Sequence, residues 1–232
     1  MLTQLVLIDG LPGLGKTTAA EGLGAALRVE ADHPVEIHTE YSELLQAFWT
    51  WGDGATPGEK TERPYDTVRF INRLMRRTYD MVDQLYDGRA AGAVAVVESY
   101  PFQSPLRNMW KMGGNEALPH AKDYFNRFAS AVGCLNPLMV YFTHGHWRER
   151  MAAIEEERGP RFIALFYDAF LCSPYATQSG LSTRGDVLDF YEEYDRMACA
   201  WLDDWPHRKI VFDPIPLGAS GSLARIRSEM SS

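Results

Sequence analysis

The octapeptide Gly10-Leu11-Pro12-Gly13-Leu14-Gly15-Lys16-Thr17 satisfies G-x-x-x-x-G-K-[ST] at every fixed position. Glycines at these places let successive backbone N–H groups turn inward around an anion with no Cβ in the way. A helix starting at the loop's end aims its partial positive charge at the same point. Lys16 adds a mobile full charge for β- and γ-phosphates, and the Thr17 hydroxyl is of the type that holds Mg²⁺. The flanks agree, with a strand-like run, Leu5–Asp9, leading in and a helical pattern, Thr17–Arg28, leading out. Gly10, Gly13, Leu14, Gly15, Lys16, Thr17 and Thr18 are therefore the candidate nucleotide-binding residues. The expected cofactors are ATP or GTP together with Mg²⁺. A plain Gly-rich turn with an exposed lysine is the alternative.

Five short runs suit strands: Gln4–Asp9, Val35–Thr39, Ala93–Glu98, Leu138–Thr143 and Lys209–Phe212. Continuous apolar stretches such as Val94-Ala95-Val96-Val97 fit strands buried on both faces. Between them apolar residues step by three and four, as in Val187, Phe190, Tyr191, Tyr194, Ala198 and Leu202. The same spacing joins Val68, Ile71, Met75, Val82 and Leu85, and Trp147, Met151 and Ile154. This alternation predicts an α/β three-layer fold, a five-stranded parallel sheet with helices on both faces. A chain of 232 residues accommodates it as one domain, residues 1–232, with a peripheral tail at 214–232. The longest loop is expected at Trp51–Pro64 and a second at Leu171–Leu181.

Charge narrows the partners. Twenty-three Lys and Arg against thirty-one Asp and Glu leave a formal charge of −8. That balance disfavours nucleic acid and anionic membranes, so a small-molecule acceptor is the expected partner, with homodimerisation left open. Cys134, Cys172 and Cys199 lack C-x-x-C spacing and read as buried thiols of a reduced, cytoplasmic compartment. No signal peptide or membrane span is expected.

The absence of N-K-x-D argues against a Ras-like GTPase, and no apolar strand ends in the Asp-Glu pair of ATP-driven machines. A small phosphotransferase remains. Asp9–Gly22, Glu40 at the close of strand two, and Val94–Ser99 resemble the P-loop nucleoside and nucleotide kinases, nearest to deoxynucleoside kinases and thymidylate kinase. Leu135-Asn136-Pro137 through Tyr141, and on to Glu157-Arg158-Gly159-Pro160-Arg161, is similar to that family's fourth strand, helix and arginine-bearing lid, here around 155–165. The stretches also resemble a group of bacterial kinase-like proteins of unsettled substrate.

The resemblance implies that Glu40 deprotonates the acceptor hydroxyl, and that Glu98 is the strand-three glutamate which those enzymes follow with Arg. Here Ser99 follows. Chemically, one of the two carboxylates can accept a proton while the other organises Mg²⁺, with Thr17 as the second metal candidate. Alternatively Glu40 charges the start of the next helix, and Glu98 is a structural hydrogen-bonder. Arg158 and Arg161, beside the Gly159-Pro160 turn, can spread the charge of a transferring phosphoryl group, or else pair with Glu155, Glu156 and Glu157 at the surface. Arg148 and Arg150 read as helix-face residues, one of them within reach of the site. Tyr41, Phe48, Trp49, Trp51, Tyr100 and Phe102 either stack an acceptor ring or belong to the core, and Gln103 can read an amide edge. His144-Gly145-His146 reads as a helix start rather than a metal site. Antibiotic-modifying phosphotransfer, and a nucleotide switch without transfer, are the rival functions.

Overall fold

The computed structural model describes residues 3–30, 34–39, 67–89 and 93–230. Five strands, β1 (Leu5–Gly10), β2 (Val35–His38), β3 (Val94–Glu98), β4 (Leu138–Phe142) and β5 (Arg208–Phe212), form one sheet in the order β2-β3-β1-β4-β5. Every pairing is parallel. All residues of β1 and β4 are buried, which explains their unbroken apolar sequences. The observed strands lie within a residue of the expected boundaries at each end.

The helices are α1 (Lys16–Glu30), α2 (Thr67–Arg89), α3 (Arg107–Gly113), α4 (Leu118–Val132), α5 (Trp147–Ile163), α6 (Pro174–Gln178), α7 (Arg184–Asp203) and α8 (Gly218–Met230). Right-handed crossovers sort them. The step from β1 to β2 runs one way across the sheet, and the steps β2 to β3, β3 to β4 and β4 to β5 run the other way. Accordingly α1 packs on one face, joined by α8, while α2 packs on α4 on the other. The result is the three-layer, P-loop NTPase-like α/β fold. Because the chain reverses direction at β1, a crevice opens at the carboxyl ends of β3, β1 and β4.

Thr183 and Asp186 form a reciprocal capping box at the head of α7. Two expectations shift. Within Leu171–Leu181, the Ser173 hydroxyl accepts the Ala176 N–H at 3.2 Å and starts α6. The segment expected as a peripheral tail carries α8, whose Ile226 is fully buried and whose Leu223 packs on Gly22. The thiols require correction: Cys134 and Cys172 are exposed, because each sits in the irregular backbone beyond a helix end. Cys199 is half-buried, and burial pushes its thiol up to about 12. The expected loop Trp51–Pro64 lies outside the described residues. Among the described residues no helix is long and apolar enough to cross a membrane.

Burial at Ile226 makes α8 part of the core. Ile226→Ala is expected to cost about 2–5 kcal/mol in urea unfolding, whereas Val29→Ala, at a site 87% exposed, should change little.

Candidate functional site

The loop between β1 and α1 is held from outside by α5. Trp147 donates its indole N–H to the Pro12 carbonyl at 3.0 Å. A Cβ on Gly13 would lie 1.9 Å from Ile154 Cδ1, so this glycine is what allows α5 to close on the loop. At Gly15 the constraint differs. Its φ is +80°, and a Cβ there would meet nothing within 4 Å, so the loop presents open space on that side. Lys16, only 5% exposed, folds back to donate its ammonium to the Leu11 carbonyl at 2.8 Å.

Beneath the loop lies a carboxylate that the sequence reading did not single out as functional. Asp9, fully buried, accepts the N–H groups of Gly10 at 2.8 Å, Phe102 at 2.6 Å and Gln103 at 3.1 Å. It thereby joins the phosphate loop to the chain leaving β3. Burial pushes its carboxyl up to about 6, opposed by Lys16 and then by the three N–H donors. An acidic residue inside the apolar strand Leu5–Gly10 was the available signal.

The register sets Ile8 opposite Glu98, so the β3 glutamate stands level with the start of the loop. Glu98 Oε1 accepts the Thr17 hydroxyl at 2.9 Å and the Ser99 hydroxyl at 3.0 Å. Ser99 has φ +65° and gives its N–H to the Ile8 carbonyl, which turns the chain sharply out of the sheet. The structure thus brings Lys16, Thr17 and Glu98 to one place. Two hard oxygens 2.9 Å apart form a donor set that suits Mg²⁺, which takes one or two protein oxygens beside substrate phosphates.

Of the two alternatives for the aromatic residues, the core is the one found at two positions. Tyr100 and Phe102 are fully buried core residues. The Tyr100 hydroxyl bonds Thr78 at 2.8 Å and also Tyr124, while the Phe102 ring packs on Phe125 and Tyr141. The sharp turn at Ser99 directs both rings inward. Gln103 is buried beside them. Glu40, Tyr41, Phe48, Trp49 and Trp51 lie outside the described residues.

Arg158 and Arg161 are both exposed, and Arg158 lies 5.4 Å over the Phe162 ring. Among the described residues neither bonds to the phosphate loop. Gly159, with φ +70° and ψ −167°, kinks α5 between them. Glu155 is engaged by the Tyr167 hydroxyl and by Arg184 at 3.8 Å. Arg150 and Arg158 follow Trp147 and Ile154 by three and four residues and so lie on the face of α5 that touches the loop. The Arg150 Nε is buried with no partner among the described residues. Arg148 instead pairs with Glu192 and Asp189. His146 begins α5, and His144 Nδ1 meets Asp213 Oδ2 at 2.5 Å, across the exits of β4 and β5. Among the described residues no group of three His, Cys, Asp or Glu is arranged to hold a metal.

No family model matches the chain, and no curated protein matches it. A solved structure with a similar overall course is that of YorR from Bacillus subtilis in complex with phosphorylated GDP. It is 12% identical, the match covers 98% of this chain and 95% of that one, and the TM-score is 0.49. At that level nothing of its chemistry transfers to this chain.

Because the Asp9 pKa is raised, from 3.8 to about 6, the folded state holds this proton more tightly than the unfolded chain. Its contribution therefore favours folding at low pH and is lost as pH rises through about 4 to 6, by at most about 3 kcal/mol. Asp9→Asn should remove that slope from denaturation measured between pH 4 and 7. In carboxyl ¹³C NMR, Lys16→Ala should raise the Asp9 midpoint above the wild-type value, since Lys16 lowers it.

Proposed function

We propose that the chain is a small-molecule kinase that transfers the γ-phosphoryl group of ATP or GTP, with Mg²⁺, to a hydroxyl or phosphate of a nucleoside- or nucleotide-like acceptor. The observation that carries this reading is the Thr17–Glu98 hydrogen bond at the head of a complete G-x-x-x-x-G-K-[ST] loop. It joins a phosphate cradle to a carboxylate at the crevice of a parallel sheet, the arrangement that phosphoryl transfer needs.

The loop's backbone N–H groups and the N-terminus of α1 bind the phosphate tail. Gly10, Gly13, Leu14, Gly15, Lys16, Thr17 and Thr18 form that cradle. Lys16 exchanges the Leu11 carbonyl for phosphate oxygens, a neutral acceptor for a charged one. Thr17 and Glu98 would hold Mg²⁺, which, when bound, neutralises phosphate charge. Glu98 receives two hydroxyl donors, which suits it to that duty better than to taking a proton. Glu40, two residues beyond β2, is the proposed general base. Arg158 and Arg161, on either side of the Gly159 kink, are the proposed arginines for the transferring group, and Arg150, whose buried Nε has no partner among the described residues, is a further candidate on the same helix.

Lys16→Ala should abolish transfer while far-UV circular dichroism stays native. Glu40→Gln should lower kcat by about 10²-fold or more with nucleotide binding retained. Glu98→Gln should instead raise the Mg²⁺ concentration needed for half-maximal rate. The deciding experiment incubates the protein with ATP or GTP, Mg²⁺ and pooled nucleosides, nucleotides, sugars and antibiotics, followed by mass spectrometry for phosphorylated product. Tight nucleotide binding with no product across the pool would identify a switch instead.

A further inference from the structure

A loop suited to anions sits directly on a buried acid. Asp9 precedes Gly10, the first residue of the loop, and Asp9 Oδ1 accepts the Gly10 N–H at 2.8 Å. Oδ2 accepts the Phe102 N–H at 2.6 Å, and the two oxygens receive the Gln103 N–H at 3.1 and 3.2 Å. These neutral donors favour the ionised carboxyl but bring no countercharge. Countercharge comes from Lys16, which acts on Asp9 while its ammonium donates to the Leu11 carbonyl at 2.8 Å. Asp9 is fully buried and Lys16 only 5% exposed, so solvent and salt screen little between them.

The other polar neighbours do not supply a second cation to this carboxyl. Tyr141 on β4 is the register partner of Asp9, and its hydroxyl donates to Asp195 of α7 at 3.0 Å. Tyr194, also on α7, donates to the Phe102 carbonyl at 2.5 Å. Burial first, and then nearby acids, push both phenols well above their usual range, with Arg107 opposing at Tyr194, so both stay neutral. Burial also pushes Asp195 up, against the Thr143 and Tyr141 hydroxyls that it accepts. On β3, Glu98 stands beside Ile8 and accepts the Thr17 and Ser99 hydroxyls.

An anion in the loop disturbs this balance twice. It draws the Lys16 ammonium towards itself, and it sets negative charge above an ionised carboxyl that water cannot reach. One cation then faces two anions in a dry place, and neutralising Asp9 relieves the repulsion. The acid is already close to that step, because burial pushes it up to about 6 against Lys16 and the three N–H donors. A neutral carboxyl still offers oxygens to N–H donors, so the clasp on Phe102 and Gln103 survives the change.

We propose that an anion entering the phosphate loop brings one proton with it to Asp9, so that the charge state of Asp9 sets the pH range in which the loop holds phosphate. This regulation rests on the phosphate-binding part of the function proposed above and not on phosphoryl transfer. Linkage makes it reciprocal: a bound anion raises the Asp9 midpoint, and an ionised Asp9 weakens the anion by the same factor. Affinity is therefore greatest on the acid side and falls as pH rises through the midpoints of the empty and the loaded protein. Asp9 touches the loop and not the phosphate, and is a positioning residue.

Sulfate is the probe, since it stays a dianion from about pH 5 to 8 and carries no transferable phosphoryl group. Wild-type protein is titrated with sulfate against chloride at equal ionic strength, with the Gly15 amide followed by ¹⁵N NMR to place binding at the loop. Saturating sulfate should raise the Asp9 midpoint in carboxyl ¹³C NMR by about one pH unit, and the sulfate Kd should weaken about ten-fold between pH 5 and 8. In Asp9→Asn the Kd should be equal at both ends of that range. A Gly15 response with an unmoved Asp9 midpoint, or the same pH dependence in Asp9→Asn, overturns the coupling and leaves the kinase reading standing. No response at Gly15 overturns the coupling together with the phosphate cradle. A midpoint shift in a protein that phosphorylates nothing in the acceptor pool supports the coupling and counts against the kinase alone. The midpoint is read on the wild-type chain, so the test holds even if Asp9→Asn fails to fold.

Discussion

The site depends on one buried carboxylate. Asp9 sits at the end of a fully buried strand and receives N–H groups from its own loop and from the turn after β3. Without those donors, a carboxylate at that depth would meet a desolvation cost of several kcal/mol. With them it fixes two chain segments more than ninety residues apart in sequence. The phosphate loop, the Glu98 carboxylate and α3 take their relative positions from this junction. Lys16 balances the charge beneath and remains close enough to serve an anion above.

Rigidity on one side complements openness on the other. Trp147, Met151 and Ile154 press on Pro12 and Gly13, so the outer wall of the loop is packed like a core. The inner side, at Gly15, meets no atoms. A loop braced on one side keeps its backbone path without help from a ligand on the other, which is the preorganisation that the proposed phosphate binding would use. The Leu11 carbonyl holds Lys16 meanwhile, at the cost of a single neutral hydrogen bond.

The sheet was legible in the sequence because strands covered on both faces must be apolar without interruption, and Val94–Val97 and Leu138–Phe142 admit no other economical reading. The loop was legible because its glycines, lysine and threonine are each required by a separate physical demand. What could not be read were directions. Tyr100 and Phe102 follow a strand end where either a ligand or the core could claim them, and the contacts with Thr78, Phe125 and Tyr141 that put them in the core join residues far apart in the sequence. Four arginines on α5 share one helical stretch, and only the structure separates them: Arg148 is paired with Asp189 and Glu192, the Arg150 Nε is buried, and Arg158 and Arg161 are exposed on either side of the Gly159 kink. Asp9 was hidden by belonging to the motif's own strand, although an acid in that apolar run needed donors from somewhere. The last helix was discounted for its weak pattern, yet a glycine on α1 makes room for Leu223.

Ser99 ties these strands together. In the family that this chain resembles, arginine follows the strand-three glutamate; such a neighbour would neutralise Glu98 and offer a cation to an anionic acceptor. Serine does neither. Its hydroxyl, with that of Thr17, donates to Glu98 Oε1. Its left-handed backbone also leads the chain out of the sheet towards the turn Phe102–Leu106 and α3. The path of the chain after β3 is thus fixed twice within five residues, by the left-handed Ser99 and by the Asp9 carboxylate that takes the next two N–H groups of the turn, Phe102 and Gln103.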